Sequence, residues 1–566
     1  MTASNLPFEI QQIILSHLNS TAQIQYSLVS KHWRAAAKHV LFDTIYLPSG
    51  QKVDECVDLL LVSSPLGEFV KKLVFLTCAS LNEAKQYSSL IHLTPNLKVL
   101  ATEKSSNRLF QTAIQEVRSG HWKHLHSIGD LSIENDYDSV TEMGTEPFKS
   151  SVLDYYALAS VLQDRLSAFV FDITSIDNSS VEPYCFQLPL YITRQTRFNA
   201  LKDLICFSQG TTTIESLDDT LALCQNATEV KLSVHHFRTS KERWRQIEPN
   251  ASVKSLSVFV TKFTEASLGY IYRKFSAVKQ LTMHALDHSI SNTDETIDPL
   301  EVPVDMKHQL AYYVHSTTTS DIWFYGINNS IELFLAFVSM QWPGEMQINL
   351  ESNLFQLQHD SSKPKHSELH IDLDIGGLNV KQATLRDYLN QLDVLSIGPI
   401  DVRYYPLLAQ CTRIRVLRMY YGNPSGYQGP TLAISRLILF SEDYNANFLK
   451  EFSASTPNLR HVNLVLCTFG KIEIDTPCVS YDSLCVENLG WIMQSSVCLL
   501  LIRSGIQSYY KTIENRLCEI GIDEFKGQAV KMDRAKVELI CNDIKRLEIH
   551  WRVKDSGRVR ILHDFY

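Results

Sequence analysis

The chain of 566 residues lacks the short signatures through which catalysis commonly shows itself. It has no Gly-x-Gly-x-x-Gly behind a strand pattern, no Gly-Lys-Ser/Thr phosphate loop, no Gly-x-Ser-x-Gly elbow and no His-Glu-x-x-His helix. The loop Gly422-Asn423-Pro424-Ser425-Gly426 does not keep the elbow spacing. None of the twelve cysteines forms a Cys-x-x-Cys pair, and several sit in apolar runs such as Leu204-Ile205-Cys206-Phe207, a pattern of buried free thiols in a reducing compartment. Long apolar runs are also missing. The densest, Val497 to Ile502, is far shorter than the roughly 20 residues of a membrane-spanning helix. Met1-Thr2-Ala3-Ser4-Asn5 shows no basic region leading into an apolar stretch, so no secretory signal is expected. Basic charge is not in excess either: the net charge of -9 argues against nucleic acid as a partner. The expectation is a soluble, non-enzymatic protein of the cytoplasm and/or nucleus, with no membrane contact.

Histidine clusters give no metal signature. His121, His124 and His126 lie close together, and His284 and His288 are four apart, but neither group has a Cys or carboxylate at ligand spacing. They read as surface histidines, and no metal or other cofactor is expected.

What the chain does have is repetition. Its length exceeds what one core can serve, so several domains or a repeat array are implied. From Pro48-Ser49-Gly50-Gln51 onward an apolar triplet with the spacing Leu-x-x-Leu-x-Leu recurs, as at Val70/Leu73/Phe75, Ile128/Leu131/Ile133, Leu166/Phe169/Phe171, Ile414/Leu417/Met419 and Leu459/Val462/Leu464. The middle positions Leu204, Val230, Leu256 and Leu281 are 26, 26 and 25 residues apart, and Leu395, Leu417, Leu437 and Val462 are 22, 20 and 25 apart. Thr94-Pro95-Asn96-Leu97 returns as Thr456-Pro457-Asn458-Leu459, each closing a helical stretch and opening a strand. The pattern resembles degenerate leucine-rich repeats, with periods in that family's range. An unrelated α/β domain with Leu- and Val-rich buried strands is the plain alternative. Between Met283 and Leu395 only fragments survive, such as Met346-x-Ile348-x-Leu350, and the polar, acidic stretch from Asp287 to Val304 reads as a protruding loop insertion.

If the triplets are strands, their intervening residues share the opposite face. Arg418 and Tyr420, then Arg436 and Phe440, then His461 would line it. Arginine and aromatic residues are the types enriched at interface hot spots, so these five are candidate target-binding residues. A solvated or loop-covered face is the alternative, on an equal footing.

The amino end differs from everything after it. Leu6 and Pro7 precede Glu9 and Ile10, and Ile13, Ile14 and Leu18 follow Ile10 at helical spacing. After Asn19-Ser20-Thr21 a second short helix leads into Leu28-Val29-Ser30-Lys31-His32-Trp33-Arg34. An amphipathic helical pair packed on the rest of the chain would share part of this pattern. The ordered set of positions resembles the F-box family, although the Pro-x-Asp-Leu-type turn common there is replaced by Asn19-Ser20-Thr21-Ala22-Gln23-Ile24.

That resemblance implies a three-helix module, assigned here to residues 1–47, that docks a Skp1-like adaptor and through it cullin and RING subunits of a ubiquitin ligase. It implies Leu6, Pro7, Ile10, Ile14, Leu28, Val29, Ser30 and Trp33 as residues that form or support the docking surface. The expected fold is α/β: the module, then residues 48–566 as an irregular leucine-rich-repeat solenoid, with parallel strands on the concave face and helices on the convex face, that binds an unidentified protein substrate. An F-box scaffold acting outside ubiquitination is the alternative function.

Overall fold

Three short helices open the described chain, each set by a local signal. In α1 (Phe8–Ser16) Pro7 sits at the N-cap, where its missing donor costs nothing, and its carbonyl accepts from Gln11 N at 3.1 Å. In α2 (Ser20–Ser27) the Asn19 side chain caps the start by accepting from Ala22 N at 2.9 Å. In α3 (Lys31–Asp43) Ser30 does the same for Trp33 N at 3.3 Å. The Asn19 turn therefore serves without a proline, and the Gln23 amide tightens it by donating to the carbonyls of Leu15 and Leu18 at the end of α1. Leu15, Trp33, Ala36 and Ala37 form the buried core of the bundle, with Leu6, Leu18, Val40 and Leu41 packed around it.

This computed structural model describes residues 6–76, 84–102, 107–130, 151–172, 197–238, 247–285 except 262, 302–372 except 328, 383–398, 404–441 except 421–426 and 428, 446–466, 471–492, 497–513, 516–529, 535–553 and 557–565. The chain forms two compact units, Met1–Asp298 and Pro299–Tyr566. Their boundary falls within the acidic stretch expected to protrude. Residues 287–301 of that stretch lie outside the described residues; Val302 is buried, and Val304–Met306 form a 3-10 turn leading into a helix at Lys307–His315. The end of the stretch is thus folded rather than protruding.

In the first unit the helical bundle runs directly into a parallel sheet. Its strands are β1 (Thr44–Leu47), β2 (Lys72–Phe75), β3 (Val99–Thr102), β4 (Ser127–Asp130), β5 (Ala168–Asp172), β6 (Asp203–Thr213), β7 (Glu229–Arg238), β8 (Ser255–Val260) and β9 (Gln280–Ala285), and each pairs in parallel with the next. Parallel neighbours need a crossover. Helices α4 (Gly50–Val62), α5 (Ala84–Leu93) and α6 (Asn107–Arg118) supply the first three, and helices at Ser151–Val161, Ile214–Leu223 and Glu265–Lys274 supply later ones.

Triplet middle positions become a ladder. Phe169, Leu204, Val230, Leu256 and Leu281 are register partners in succession, and all are buried. Ile45, Leu73, Leu100 and Ile128 are likewise register partners across β1 to β4, with Leu73, Leu100 and Ile128 buried and Ile45 half-buried at the start. One triplet was misplaced by three residues: Ile128 holds the middle position, with buried Leu125 before it, while Leu131 and Ile133 lie outside the described residues. Thr44–Leu47 also changes assignment, because these residues form β1 and the helical module ends at Asp43. Ion pairing of Lys71 with Asp43 at 2.6 Å and the His39–Phe69 ring contact at 4.1 Å hold α3 to the turn before β2.

The second unit begins differently. Its strands are β10 (Thr319–Tyr325), β11 (Glu345–Glu351), β12 (Leu354–Asp360), β13 (His366–Asp372), β14 (Val394–Ile397), β15 (Val416–Tyr420), β16 (Arg436–Ser441), β17 (His461–Leu466), β18 (Lys471–Tyr481), β19 (Ser483–Ile492), β20 (Val497–Arg503), β21 (Ile506–Ile513), β22 (Arg516–Glu519), β23 (Ala535–Ile544), β24 (Arg546–Val553) and β25 (Gly557–Asp564). Strand β12 runs antiparallel to both β10 and β11, and this hairpin is why the repeat loses its period before Leu395. Parallel pairing then resumes from β11 through β13, β14, β15, β16, β17 and β19 to β24, with β25 antiparallel at the end. Ile348, Leu369, Leu395, Leu417, Leu437, Val462, Leu484 and Leu547 form its buried ladder. Strands β18, β20, β21, β22 and β23 make a separate five-stranded sheet. The architecture is α/β.

The two Thr-Pro-Asn-Leu copies have the same task. Thr94 Oγ1 donates to Leu90 O at 2.8 Å and Thr456 Oγ1 to Phe452 O at 2.9 Å, closing each helix, while Leu97 N and Leu459 N bond back to the two threonine carbonyls.

Candidate docking surfaces

The small helical bundle carries a set of exposed apolar residues beside its buried core. On α1 the buried positions are Gln11 and Leu15, so the stripe of Ile10, Ile13 and Ile14 faces solvent, Ile13 being 54% exposed. Helix α2 buries no residue at all, and Ile24 and Tyr26 are exposed. The link into α3 presents Leu28 at 72% and Val29 at 65% exposure. Scattered exposed apolar residues are ordinary, whereas these are grouped in one short module, which makes them a candidate docking surface.

Eight residues were expected to form or support this surface, and their environments separate them. Pro7, Ile10, Ile14, Leu28 and Val29 are exposed, and Leu6 is half-buried against the bundle core. Ser30 acts as the cap of α3. Trp33 is only 3% exposed and packs with Leu15 and against the Tyr26 ring at 5.3 Å, so its contribution is support from beneath. Phe8, Ile13, Ile24 and Tyr26 are further exposed members that the expected set omitted. Ile13 was detectable from its place in the Ile10 stripe, and Ile24 from being apolar in an otherwise polar helix.

A second surface lies on the sheet of the second unit. Arg418, Tyr420, Arg436, Phe440 and His461 all alternate away from the buried ladder, as expected. Tyr420 and Phe440, register partners on β15 and β16, stack at 4.6 Å with planes 8° apart. His370 on β13 meets the Tyr420 ring edge-on at 5.4 Å, and burial is the largest cause of its depressed pKa. Arg418 is paired with the Glu368 carboxylate, so its charge is engaged within the sheet surface. Arg436 is exposed, and His461 Nδ1 lies 2.8 Å from Ser483 Oγ. Glu368 and His370 were not anticipated. They come from a strand inside the stretch where the repeat pattern is broken. Tyr421 and the Gly422–Gly426 loop, which follow Tyr420 directly, lie outside the described residues.

Compared with known proteins, residues 3–44 match the F-box domain family, and they form an F-box domain in this chain. No curated protein matches the chain. Among solved structures, the crystal structure of the Rad7 and Elc1 complex in yeast aligns at 11% identity over 82% of this chain and 88% of that one, with a TM-score of 0.25, too low to bear on fold or function.

Proposed function

We propose that this chain, through the F-box domain at its amino end, is the substrate-recognition subunit of an SCF-type ubiquitin ligase. The observation that carries the reading is the exposed apolar set on α1, α2 and the link to α3, which suits a Skp1-like adaptor and, through it, cullin and RING subunits. Covering one Leu, Ile or Val side chain yields about 1.5–3 kcal/mol, so a few such residues supply a strong docking force. The parallel ladders and crossover helices support reading both units as irregular leucine-rich repeats, with the strand face turned to the target. On that face the stacked Tyr420–Phe440 pair, with Arg436 and His461 beside it, is the proposed grip on a protein substrate. The subunit's effect on rate is proximity: it raises the local concentration of a target lysine near a ubiquitin-charged enzyme and forms no bond itself. The buried cysteines Cys56, Cys206, Cys224, Cys411 and Cys541 are free thiols, which fits a ligase of the cytoplasm or nucleus.

Copurification tests the reading. The full chain is expected to bring down both adaptor and cullin; adaptor without cullin would reject the ligase role in favour of a scaffold, and neither would reject the docking surface.

A further inference from the structure

Folding brings together a group of metal-ligating side chains that no sequence spacing shows. His92 lies in the last turn of α5, Glu116 near the end of α6, and His121 just beyond it. The two imidazoles stack at 4.0 Å with planes 20° apart. Glu116 Oε2 is 2.9 Å from His92 Nε2 and 3.8 Å from His121 Nε2, and one ligand atom from each residue lies within 4.8 Å of the others. Four ligands at about 2.0–2.1 Å around a tetrahedral ion stand roughly 3.3 Å apart, and these separations bracket that value.

The group is built rather than incidental. Ser88, one turn before His92 on α5, donates from Oγ to Glu116 Oε1 at 2.6 Å, which leaves Oε2 as the oxygen turned to the histidines. After α6 the chain reverses through Gly120 at φ +93° and Trp122 at φ +47°, a left-handed conformation that a bulky residue adopts only under constraint. The constraint is visible: Trp122 is 1% exposed and its Nε1 donates to Thr94 Oγ1 at 3.1 Å, tying the turn to the end of α5. His121 N also donates to Glu116 O at 3.0 Å. His121 is therefore held beside His92 by the fold, while both rings stay accessible enough to turn toward an ion.

We propose that His92, Glu116 and His121 form a binding site for one divalent ion of the zinc class, with water in the fourth position, clamping α5 to α6. Two imidazoles and a carboxylate suit zinc and its neighbours and are a poor set for calcium or magnesium, which prefer all-oxygen shells. A second group, Cys485, Glu548 and His550, is a weaker candidate, because Arg560 already binds the Glu548 carboxylate and places a positive charge where an ion would sit.

The test uses the full chain without a polyhistidine tag, stripped by chelator and titrated with Zn2+ against a chromogenic indicator, and with Co2+ followed by visible absorption. One ion per chain is expected. His92→Gln and His121→Gln should each weaken it about 100-fold or more, Ser88→Ala about 10-fold to 100-fold through loss of outer-shell support, and Cys485→Ser should leave it unchanged. Circular dichroism checks that the variants fold, and Glu116→Gln gives an independent variant. Absence of binding by the folded parent, binding indifferent to His92→Gln and His121→Gln, or loss in Cys485→Ser would each overturn the site.

Discussion

At the scale of single residues, exposure separates the candidate docking positions from the supporting ones within one motif. Leu28 and Val29 are exposed next to Ser30, which caps α3, and Trp33, which fills the bundle core. Leu28→Asp with Val29→Asp should abolish adaptor capture while leaving the melting temperature within a degree or two, since neither side chain supports the fold. Trp33→Ala should remove about 3–5 kcal/mol of packing from the module, so binding and helix content fall together. A pull-down alongside thermal melting distinguishes the two. In the second unit His359 carries a pH dependence of known sign. It is 3% exposed, its Nε2 lies 2.9 Å from Pro343 O, and its Nδ1 has no partner among the described residues. Burial lowers its pKa below the ordinary 6.5, and nearby His315 lowers it further, against the opposing effects of the Pro343 hydrogen bond and Asp360. The unfolded chain therefore takes up this proton first, so the stabilising contribution is complete above pH 6.5 and declines as pH falls below it. Denaturant titrations at pH 7.5 and 5.5 should show that decline, and His359→Phe, which can keep the edge contact with Trp342, should reduce it.

At the scale of elements, the sequence exposed periodicity better than orientation. The Leu204, Val230, Leu256 and Leu281 series was readable because a parallel crossover of nearly constant length repeats the same buried position. The Ile10, Ile13 and Ile14 stripe was equally visible, yet spacing alone gives a helix face and not what covers it; it needed Leu15 and Gln11 to be seen buried on the other side. At Ile128 the triplet is hidden in the sequence, because Asp130 stands where the pattern wants an apolar residue and Leu131 and Ile133 offer the same spacing three residues on. His92 and His121 were out of reach, since they meet only after α5 and α6 pack. The Asn19 turn shows a family position refilled by different chemistry: side-chain acceptance from Ala22 N replaces a proline-led turn. Asn19→Ala is expected to cost about 1 kcal/mol, and Asn19→Asp, which keeps the acceptor, should restore it. Chemical denaturation of the two variants checks this.

At the scale of the molecule, the F-box domain and the repeat region share a seam that decides where the chain can be divided. Thr44–Leu47 reads in sequence as the tail of the helical module, but as β1 it pairs along its whole length with β2, from Thr44 with Lys72 to Leu47 with Phe75. A chain beginning at Asp43 keeps that pairing, the Asp43–Lys71 ion pair and the bond from Lys71 N to Asp43 O; it loses the three helices proposed to dock the adaptor and the His39–Phe69 contact. A chain beginning at Pro48 removes β1 and uncovers the backbone edge of β2, whose Leu73 and Val74 are fully buried in the intact protein. An unpaired apolar strand edge is a template for aggregation. Truncation to Asp43 is therefore expected to give a soluble chain that has lost the adaptor and kept its target, whereas truncation to Pro48 gives aggregates detectable by light scattering. Equal behaviour of the two would mean that β1 contributes nothing to closing the sheet. Loss of target capture in the soluble Asp43 chain would place part of the grip on the helices themselves.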